Sequence, residues 1–253
     1  MLSTKAKVLA NKIKQQVFRL HRHSRVWLPG ECLVCAQPLS SERDLCSACT
    51  AQLPQNNHCC RLCAEPLPNL LQEESSHSGL CSRCRKNPPA FDAVIAPWLY
   101  AAPVDQLLWR FKYQQQRTAG YLLLDLLHDA IHSTPLELDA LVVIPGQRER
   151  IRARGLHAPT WLAQRLALLQ GLAFQPSWLQ STRTLTSQQE LGRKARWLNP
   201  RGAFKAATEV QGKHLLLLDD VVTTGATAHW ASVALKQQGA REVVILAAAR
   251  TPA

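Results

Sequence analysis

The fold of this chain is decided by one stretch, Leu215-Leu-Leu-Leu-Asp-Asp-Val-Val-Thr-Thr-Gly-Ala-Thr227. Its four leucines predict a strand that is buried on both faces, as in a parallel sheet covered by helices. Such sheets bind ligands at the carboxyl ends of their strands, which is where this stretch places Asp219 and Asp220. The turn that follows opens a helix, and the backbone N–H groups at a helix N-terminus bind anions. Carboxylates followed by an anion-binding turn indicate a ligand with both hydroxyls and a phosphate, a ribose 5-phosphate.

Two other interpretations of this stretch are weaker. It is not a Walker loop, because the GxxxxGK spacing and its lysine are missing. An ordinary strand followed by a threonine-capped helix is the plainer alternative, but a cap does not need this density of threonine and glycine.

The rest of residues 91–253 repeats the alternation of strand and helix. Apolar runs and helical patterns follow one another at Pro103–Gln116, Ala119–His132, Leu141–Ile144, Ala226–Gln238 and Glu242–Leu246. Short buried strands between helices predict an α/β fold, a parallel sheet flanked by helices on both faces. A body of this size is large enough to form an independent core.

All nine cysteines lie between Cys32 and Cys84, and eight of them form four CxxC pairs. The pairs are Cys32/Cys35, Cys46/Cys49, Cys60/Cys63 and Cys81/Cys84. Two cysteines three positions apart can aim both thiolates at one cation, and two such pairs complete a closed tetrahedral zinc site. The four pairs therefore predict about two structural Zn2+ ions, which fold this module and leave no open coordination position for chemistry.

The grouping of these ligands stays open at the level of sequence. Pairing in sequence order is the simplest arrangement, and a crossed arrangement also fits the spacing. Cys59 and Cys60 are both separated from Cys63 by a number of residues that a zinc site allows, and we favour Cys60 as the ligand. His58 or His77 could replace one of the thiolates. Free buried cysteines or a redox role are less consistent with four pairs in a short, proline-punctuated segment.

The chain of 253 residues carries a net charge of +12, which indicates a polyanionic partner such as nucleic acid, a nucleotide or lipid headgroups. Its first 25 residues hold seven basic and no acidic residues. They predict a basic helix over residues 1–27, either packed on the body or in contact with nucleic acid or a membrane surface. No apolar run reaches the roughly 18 residues of a membrane span, and no secretory signal is visible, so we expect a cytoplasmic protein. The cysteine module would occupy residues 28–88 and the sheet domain residues 89–253.

The stretch Leu215–Thr227 resembles the phosphoribosyl pyrophosphate (PRPP) signature of type I phosphoribosyltransferases. With four CxxC pairs in front of it, the chain resembles the ComF/GntX family, which is linked to DNA uptake and to the use of DNA as a nutrient. The resemblance runs from about Cys32 to the C-terminus and implies a phosphoribosyltransferase-like domain over residues 89–253. It includes the motifs Pro88-Pro-Ala-Phe-Asp92, Phe111-Lys-Tyr113, Arg150, Arg154-Gly155, Arg183 with Gln188, and Asn199-Pro-Arg-Gly-Ala-Phe204.

The resemblance implies roles for individual residues. Asp219 and Asp220 would be the catalytic pair and would bind the ribose hydroxyls directly or through Mg2+. The 5-phosphate would be held by Thr223, Thr224, Gly225, Ala226 and Thr227. The pyrophosphate would be neutralised by Arg148, Arg150, Arg152 and Arg154. Purine-salvage enzymes usually place an acidic residue where this chain has Thr223, so the acceptor base is left unassigned.

Two functions are consistent with these features. One is a phosphoribosyltransferase with an unknown acceptor; the other is a non-enzymatic module that binds single-stranded DNA or an ATPase of the DNA-uptake machinery. Nucleic-acid contacts would come from a basic segment with a stackable indole, Arg193, Lys194, Arg196 and Trp197. Trp197 is equally consistent with a packing anchor. The pair Asp219-Asp220 favours retained PRPP binding, because a pure polyanion binder gains nothing from carboxylates beside its phosphate site.

Overall fold

The computed structural model describes residues 30–39, 43–68, 79–147, 151, 155–184 and 193–252. The predicted basic helix over residues 1–27 lies outside the described residues. Within residues 30–86 the secondary structure is sparse. Strand β1 (Gly30–Glu31) pairs antiparallel with β2 (Pro38–Leu39), and two one-turn helices follow, α1 (Ser47–Ala51) and α2 (Ser82–Lys86).

The body alternates strands and helices, as the apolar runs predict. In chain order its elements are β3 (Ala93–Ile95), β4 (Trp98–Leu99), α3 (Val104–Tyr113), α4 (Arg117–His132), β5 (Ala140–Val143), α5 (Ala158–Gln170), β6 (Ala173–Phe174), β7 (Leu179–Ser181), α6 (Arg193–Leu198), β8 (Phe204–Ala206), β9 (His214–Leu218), β10 (Val221–Val222), α7 (Ala226–Gln237), β11 (Glu242–Leu246) and β12 (Ala249–Arg250). Short 3-10 turns occur at Pro176–Trp178 and Thr208–Val210.

The main sheet has five strands in the order β3-β11-β9-β5-β6, and every neighbouring pair is parallel. Strand β9 lies at its centre, with Leu215 opposite Val243 on one side and Ala140 on the other. A smaller parallel sheet, β10-β12-β4, continues from the carboxyl ends of these strands, and β7 pairs antiparallel with β8. The predicted α/β fold with a parallel sheet is therefore confirmed.

Alternate side chains of β9 pack on opposite faces of the sheet, which is why its sequence is continuously apolar. Leu216 and Leu218 belong to a core that contains the buried residues of α3, α4 and α5. Leu215 and Leu217 belong to a second core, formed with α7 and the β7–β8 pair. All four leucines are fully buried.

The cysteine module contributes to both of these cores. Cys32, Leu45 and Cys49 pack in the core on the α3–α4 face, and Cys60 and Cys84 pack in the core on the α7 face. Both cores of the body therefore include residues of the module. Among the described helices, none is both long and apolar enough to cross a membrane.

Candidate functional site

A cavity of about 600 Å3 lies at the carboxyl edge of the sheet, beyond the ends of β5 and β9. All but one of the seven residues predicted to bind PRPP line this cavity, the exception being Thr224. They are joined by residues from the segment after β4, from α3, from the segment after β5 and from the start of α5. Those further residues include Tyr100, Lys112, Tyr113, Gly146, Gln147 and His157.

The loop between β10 and α7 forms one wall of the cavity. Gly225 is the N-cap of α7 and has φ 76°, in the left-handed region that favours glycine. It brings no capping side chain to the helix start, where N–H groups lack intrahelical partners. The hydroxyl of Thr224 accepts a hydrogen bond from the N–H of Ala226 at 3.3 Å. The local sequence therefore builds an open helix N-terminus beside hydroxyl side chains, which can bind an anion.

Asp219 and Asp220 follow β9 directly, and both are half-buried. The N–H of Asp220 donates to the carboxylate of Asp219 at 2.8 Å, and Nζ of Lys112 lies 2.6 Å from the carboxylate of Asp220. Burial, and then the negative charge of Asp220, raise the pKa of Asp219 to about 7, against the weaker effect of Lys112. The pair thus combines one carboxylate held by a cation with one that titrates near neutral pH.

Lys112 is one of the cavity residues to which the sequence assigned no role. Burial by itself lowers the pKa of Lys112, but the carboxylate of Asp220 outweighs burial and the net shift is upward. The residue therefore stays charged in the cavity, within reach of any anion that binds there. The motif Phe111-Lys-Tyr113 was visible in the sequence, but the 107 residues between Lys112 and Asp220 hide their proximity.

The eight CxxC cysteines form two clusters, grouped in sequence order. The ligand atoms of Cys32, Cys35, Cys46 and Cys49 all lie within 4.8 Å of one another, and so do those of Cys60, Cys63, Cys81 and Cys84. The second cluster contains Cys60 and not Cys59, and no histidine of the described residues joins either group. We call the segment around the first cluster the first ribbon (residues 30–53) and that around the second cluster the second ribbon (residues 58–86).

Both clusters fit a zinc ion. Zinc bound tetrahedrally by thiolates at about 2.3 Å separates neighbouring sulfur atoms by about 3.8 Å. The observed distances are 3.8 Å between Sγ of Cys35 and Cys46 and 3.7 Å between Sγ of Cys63 and Cys81. Backbone N–H groups point at the sulfurs, as from Cys49 to Cys46 at 3.3 Å. Such bonds stabilise thiolates and orient metal ligands.

The second ribbon is bonded to the loop that lines the cavity. Nη1 of Arg83 donates to the carbonyl of Thr224 at 2.9 Å. Arg250, which is fully buried, donates through Nε to the carbonyl of Cys63 at 3.1 Å and through Nη1 to the carbonyls of Val222, at 3.0 Å, and Thr223. Its remaining nitrogen, Nη2, forms an ion pair with Glu65. Two arginines thus connect the cysteine module to the start of the threonine loop.

Most of the other predicted residues are outside the described part of the chain. The pyrophosphate-side residues Arg148, Arg150, Arg152 and Arg154 lie outside the described residues, as do the side chains of Arg193, Lys194 and Arg196. Trp197 is half-buried on α6. Its ring lies 5.2 Å from that of His229, centroid to centroid, and its carbonyl accepts a hydrogen bond from the indole N–H of Trp230 at 2.9 Å.

Two motif residues of the resemblance have structural partners outside the cavity. The carboxylate of Asp92 accepts a hydrogen bond from the N–H of Val243 at 2.7 Å and pairs with Lys236 at the same distance. This joins the edge strand β3 to β11. The guanidinium of Arg183 donates to the carbonyls of Asn199 and Arg201, which fixes the segment between α6 and β8. These residues shape the body around the cavity.

Comparisons with known proteins agree with this architecture. A family model described as a double zinc ribbon domain matches residues 24–85. The DNA utilization protein YhgH of Salmonella typhimurium is 30% identical over 231 residues, which cover 88% of this chain and 98% of that protein. YhgH of Escherichia coli K12 is 30% identical with the same coverage. Competence protein F of Haemophilus influenzae is 28% identical over 228 residues, 87% of this chain and 96% of that protein.

Two solved structures are similar in backbone only. One is a glutamine phosphoribosylpyrophosphate amidotransferase from B. subtilis complexed with ADP and GMP, 16% identical with a TM-score of 0.38. The other is described as the allosteric regulatory enzyme of purine biosynthesis, 17% identical with a TM-score of 0.39. Each match covers 56% of this chain and 30% of the enzyme chain.

The likeness to YhgH extends over nearly the whole of that protein, through the ribbons and the sheet alike. This chain therefore belongs to the YhgH/ComF family of DNA utilization and competence proteins.

Proposed function

We propose that this protein binds PRPP with Mg2+ in the cavity at the carboxyl edge of the sheet and serves the utilisation of DNA. The proposal rests on one observation: a pair of carboxylates and a phosphate-binding loop line the same cavity. The carboxylates of Asp219 and Asp220 suit ribose hydroxyls, and the loop Thr223–Thr227 suits a phosphate. A ribose 5-phosphate presents both partners on one small molecule.

The carboxylate pair also fits a magnesium ion, which prefers oxygen ligands from one or two carboxylates, phosphates and water. Mg2+ would neutralise charge on the pyrophosphate and on the carboxylates together. Asp219 and Asp220 would hold the ribose hydroxyls, directly or through the ion. Lys112 would balance the carboxylates before the ligand arrives and would meet its phosphate oxygens afterwards.

The chemistry that such a site supports is phosphoribosyl transfer. The bond from C1 to the pyrophosphate oxygen breaks with its electron pair leaving on pyrophosphate, and a nitrogen nucleophile forms a new bond to C1 and releases a proton. The protein contributes orientation and charge stabilisation. Arg148, Arg150, Arg152 and Arg154 remain candidates for the pyrophosphate side. Thr223 offers no acidic contact to an acceptor base, so the acceptor stays open.

A second candidate function is a non-enzymatic adaptor that binds single-stranded DNA or a DNA-uptake ATPase. The observation that favours it is the set of relatives, whose names are DNA utilization protein and competence protein F. The net charge of +12 supports contact with a polyanion. The paired carboxylates argue for the first candidate, because they would repel DNA from the phosphate loop.

Thermal unfolding with PRPP and Mg2+ tests the proposal. Ligand at 100 times its dissociation constant should stabilise the protein by about 2.7 kcal/mol. Asp220→Asn should reduce this stabilisation, whereas Asp129→Asn, which removes an acidic charge from the surface of α4, should leave it unchanged. Absence of any response to millimolar PRPP would contradict the proposal.

Turnover is tested separately by pyrophosphate release from PRPP and Mg2+, with and without candidate nitrogen acceptors. Release that depends on an acceptor and is lost in Asp220→Asn would support the transferase. Binding of PRPP without release would favour the adaptor.

A further inference from the structure

We propose that the basic N-terminal segment of this chain, residues 1–23, docks on an exposed aromatic surface of the body. The surface consists of Tyr100, Trp109 and Tyr113, and we call it the aromatic ledge. The sequence left open whether this segment packs on the body or meets another partner. The inference goes beyond the proposed function and does not depend on the binding of PRPP.

The ledge is an exposed apolar surface on a rigid support. Trp109 is 50% exposed, Tyr113 52% and Tyr100 40%. Trp109 and Tyr113 stand four positions apart on α3 and therefore share one face of that helix, with ring centroids 6.1 Å apart. The opposite face of α3 is buried in the core. Contiguous apolar surface of this kind marks an interaction site.

The ledge borders a second cavity, which we call the groove. It has a volume of about 410 Å3 and is lined by Tyr100, Asp105, Gln106, Trp109 and Arg110. A groove beside exposed aromatic rings is the surface on which an amphipathic helix lays its apolar face.

The N-terminal segment enters the described structure close to this groove. Arg110, which lines the groove, donates to the carbonyl of Leu33 in the first ribbon at 2.7 Å. The described residues begin at Gly30, which lies within about 11 Å of Leu33 because three residues separate them. The ten residues from Leu20 to Gly30 span up to about 33 Å. This reach is enough to place the segment over Trp109, the neighbour of Arg110.

The segment has the pattern of a helix that binds an apolar groove. Leu9, Ile13, Val17 and Leu20 follow one another at intervals of three or four residues, which predicts one apolar face. An amphipathic helix of this kind gains most of its stability from the packing of that face. The ledge supplies the apolar surface that the packing requires.

Charge also favours this segment as the occupant. The first 25 residues hold seven basic and no acidic residues, more than half of the net charge of +12. Asp105 lines the groove, and Asp219 and Asp220 line the cavity that shares Tyr100 with it. These carboxylates repel a polyanion and attract a cationic helix, whose lysine and arginine side chains also bind aromatic faces.

The short connection favours the segment of the same chain over that of a second copy. A connection of about ten residues gives an effective concentration in the millimolar range. Protein at micromolar concentration offers far less of the same segment from other copies. Because Tyr100 and Tyr113 also line the candidate site, the docked segment would lie at the rim of that cavity.

Photocrosslinking with the full chain tests the inference. Gln106 is exposed and lines the groove, so Gln106→benzoylphenylalanine places a photoreactive ketone beside the ledge. Irradiation should join position 106 to a peptide from residues 1–23, identified by mass spectrometry, and the product should migrate as a single chain on a denaturing gel. Leu198→benzoylphenylalanine should give no such adduct. Leu198 is exposed on α6, which packs on α7 on the other face of the sheet.

Variants of the two surfaces sharpen this test in the Gln106→benzoylphenylalanine background. Ile13→Asp puts a charge into the apolar face of the segment and should reduce the adduct by about tenfold or more. Gln15→Asp adds the same charge to the opposite face of the predicted helix and should leave the yield unchanged. Trp109→Ala should reduce the yield as Ile13→Asp does.

Three outcomes would overturn the inference. They are an adduct that joins two chains, which would make the ledge a contact between copies, the absence of any adduct, and equal yields from Ile13→Asp and Gln15→Asp. The response of the wild-type protein to PRPP is measured separately. Its absence beside an intact adduct within one chain would overturn the proposed function alone.

Discussion

The two cysteine clusters use the same ligand set, yet their ribbons are attached to different parts of the body. The first ribbon contacts the helices on one face of the sheet. The carbonyl of Leu33 accepts a hydrogen bond from Arg110 of α3 at 2.7 Å, and Arg43 pairs with Asp129 of α4. The second ribbon contacts the loop at the carboxyl edge, where Arg83 donates to the carbonyl of Thr224. The first ribbon thus braces the scaffold, and the second braces the candidate binding site.

The electrostatic character of the two attachments also differs. The side chains of Arg43 and Asp129 are 31% and 49% exposed, so water screens their ion pair. Arg250 is fully buried between Glu65, the second ribbon and the loop, and burial lowers the pKa of its guanidinium despite the charge of Glu65. A buried charge must keep its partners, because leaving it unpaired is costly. The second attachment is therefore the less tolerant of change.

Loss of a zinc ligand should give the largest effect. Its consequence for the stabilisation by PRPP should differ between the two ribbons. Cys49 and Cys84 are buried and occupy equivalent positions in their clusters. Each of Cys49→Ser and Cys84→Ser should reduce bound zinc from about two ions per chain to about one and destabilise the protein, because metal binding and folding are coupled. Cys84→Ser should also abolish the stabilisation by PRPP, which Cys49→Ser should retain.

Metal analysis and thermal unfolding of the purified variants measure these effects. A wild-type protein that folds without zinc would contradict the assignment of both clusters. Equal loss of the PRPP response in Cys49→Ser and Cys84→Ser would contradict the difference between the ribbons.

The buried ion pair should give the next largest effect. Glu65→Ala leaves Arg250 buried without its carboxylate and should lower the free energy of unfolding by about 3–5 kcal/mol. Asp129→Ala removes the exposed partner of Arg43 and should cost no more than about 1 kcal/mol. Urea unfolding of both variants gives the comparison. Similar losses in the two variants would mean that burial does not distinguish the attachments.

The parts of this molecule that were predictable from sequence are those with a local pattern. Strand β11 covers Glu242–Leu246 as predicted, and α7 ends within one residue of its predicted end, because a strand buried on both faces is continuously apolar and Gly239 stops the helix. Asp219, Asp220 and most of the threonine loop line one cavity, and the sequence could indicate this because they follow one strand. The cysteines group in sequence order, which is the simpler of the two arrangements that their spacing allowed.

The contacts between distant segments were not predictable. Arg83, Lys112 and Arg250 reach the site from three separate elements, two helices and a strand, which only the tertiary fold brings together. A lone arginine or lysine in a chain with 30 basic residues carries no signal of this kind. The sharing of both cores between ribbons and body was missed for the same reason, since chain length says nothing about which segments pack together.

Removal of a single hydrogen bond from each ribbon's attachment to the body should give a smaller effect. Arg83→Ala removes the donor to the carbonyl of Thr224, and we expect the affinity for PRPP to fall by about tenfold, equivalent to roughly 1.4 kcal/mol. Arg110→Ala removes the donor to the carbonyl of Leu33 and should lower stability without changing that affinity. Isothermal titration calorimetry with PRPP and Mg2+ measures the affinity of both variants. If Arg110→Ala weakens binding as much as Arg83→Ala, the second ribbon has no special relation to the site.

The dependence on pH separates the contribution of the carboxylates to binding from that of the loop. The pKa of Asp219 is raised from 3.8 to about 7 in the folded protein. The protonated form is therefore favoured by folding, so this contribution to stability is complete below pH 4 and is lost as the pH rises through 7. Binding of Mg2+ and of ribose hydroxyls needs the carboxylate, so the affinity for PRPP should change in the opposite direction. It should increase by about tenfold per pH unit up to pH 7 and level off above it.

Titrations with PRPP between pH 5.5 and 8.5 on the wild type and Asp219→Asn isolate this proton from those of the ligand, whose own phosphates also titrate. The Asp219→Asn variant should bind PRPP more weakly than wild type at high pH. Its affinity should keep only the pH dependence that comes from the phosphates of the ligand. Arg83→Ala should lower the affinity by the same factor at every pH, because it alters the loop and leaves the carboxylates in place. A pH profile of Asp219→Asn that matches wild type would exclude Asp219 as the titrating group. A profile of Arg83→Ala that converges with wild type at low pH would show that the second ribbon acts through the carboxylates instead of the threonine loop.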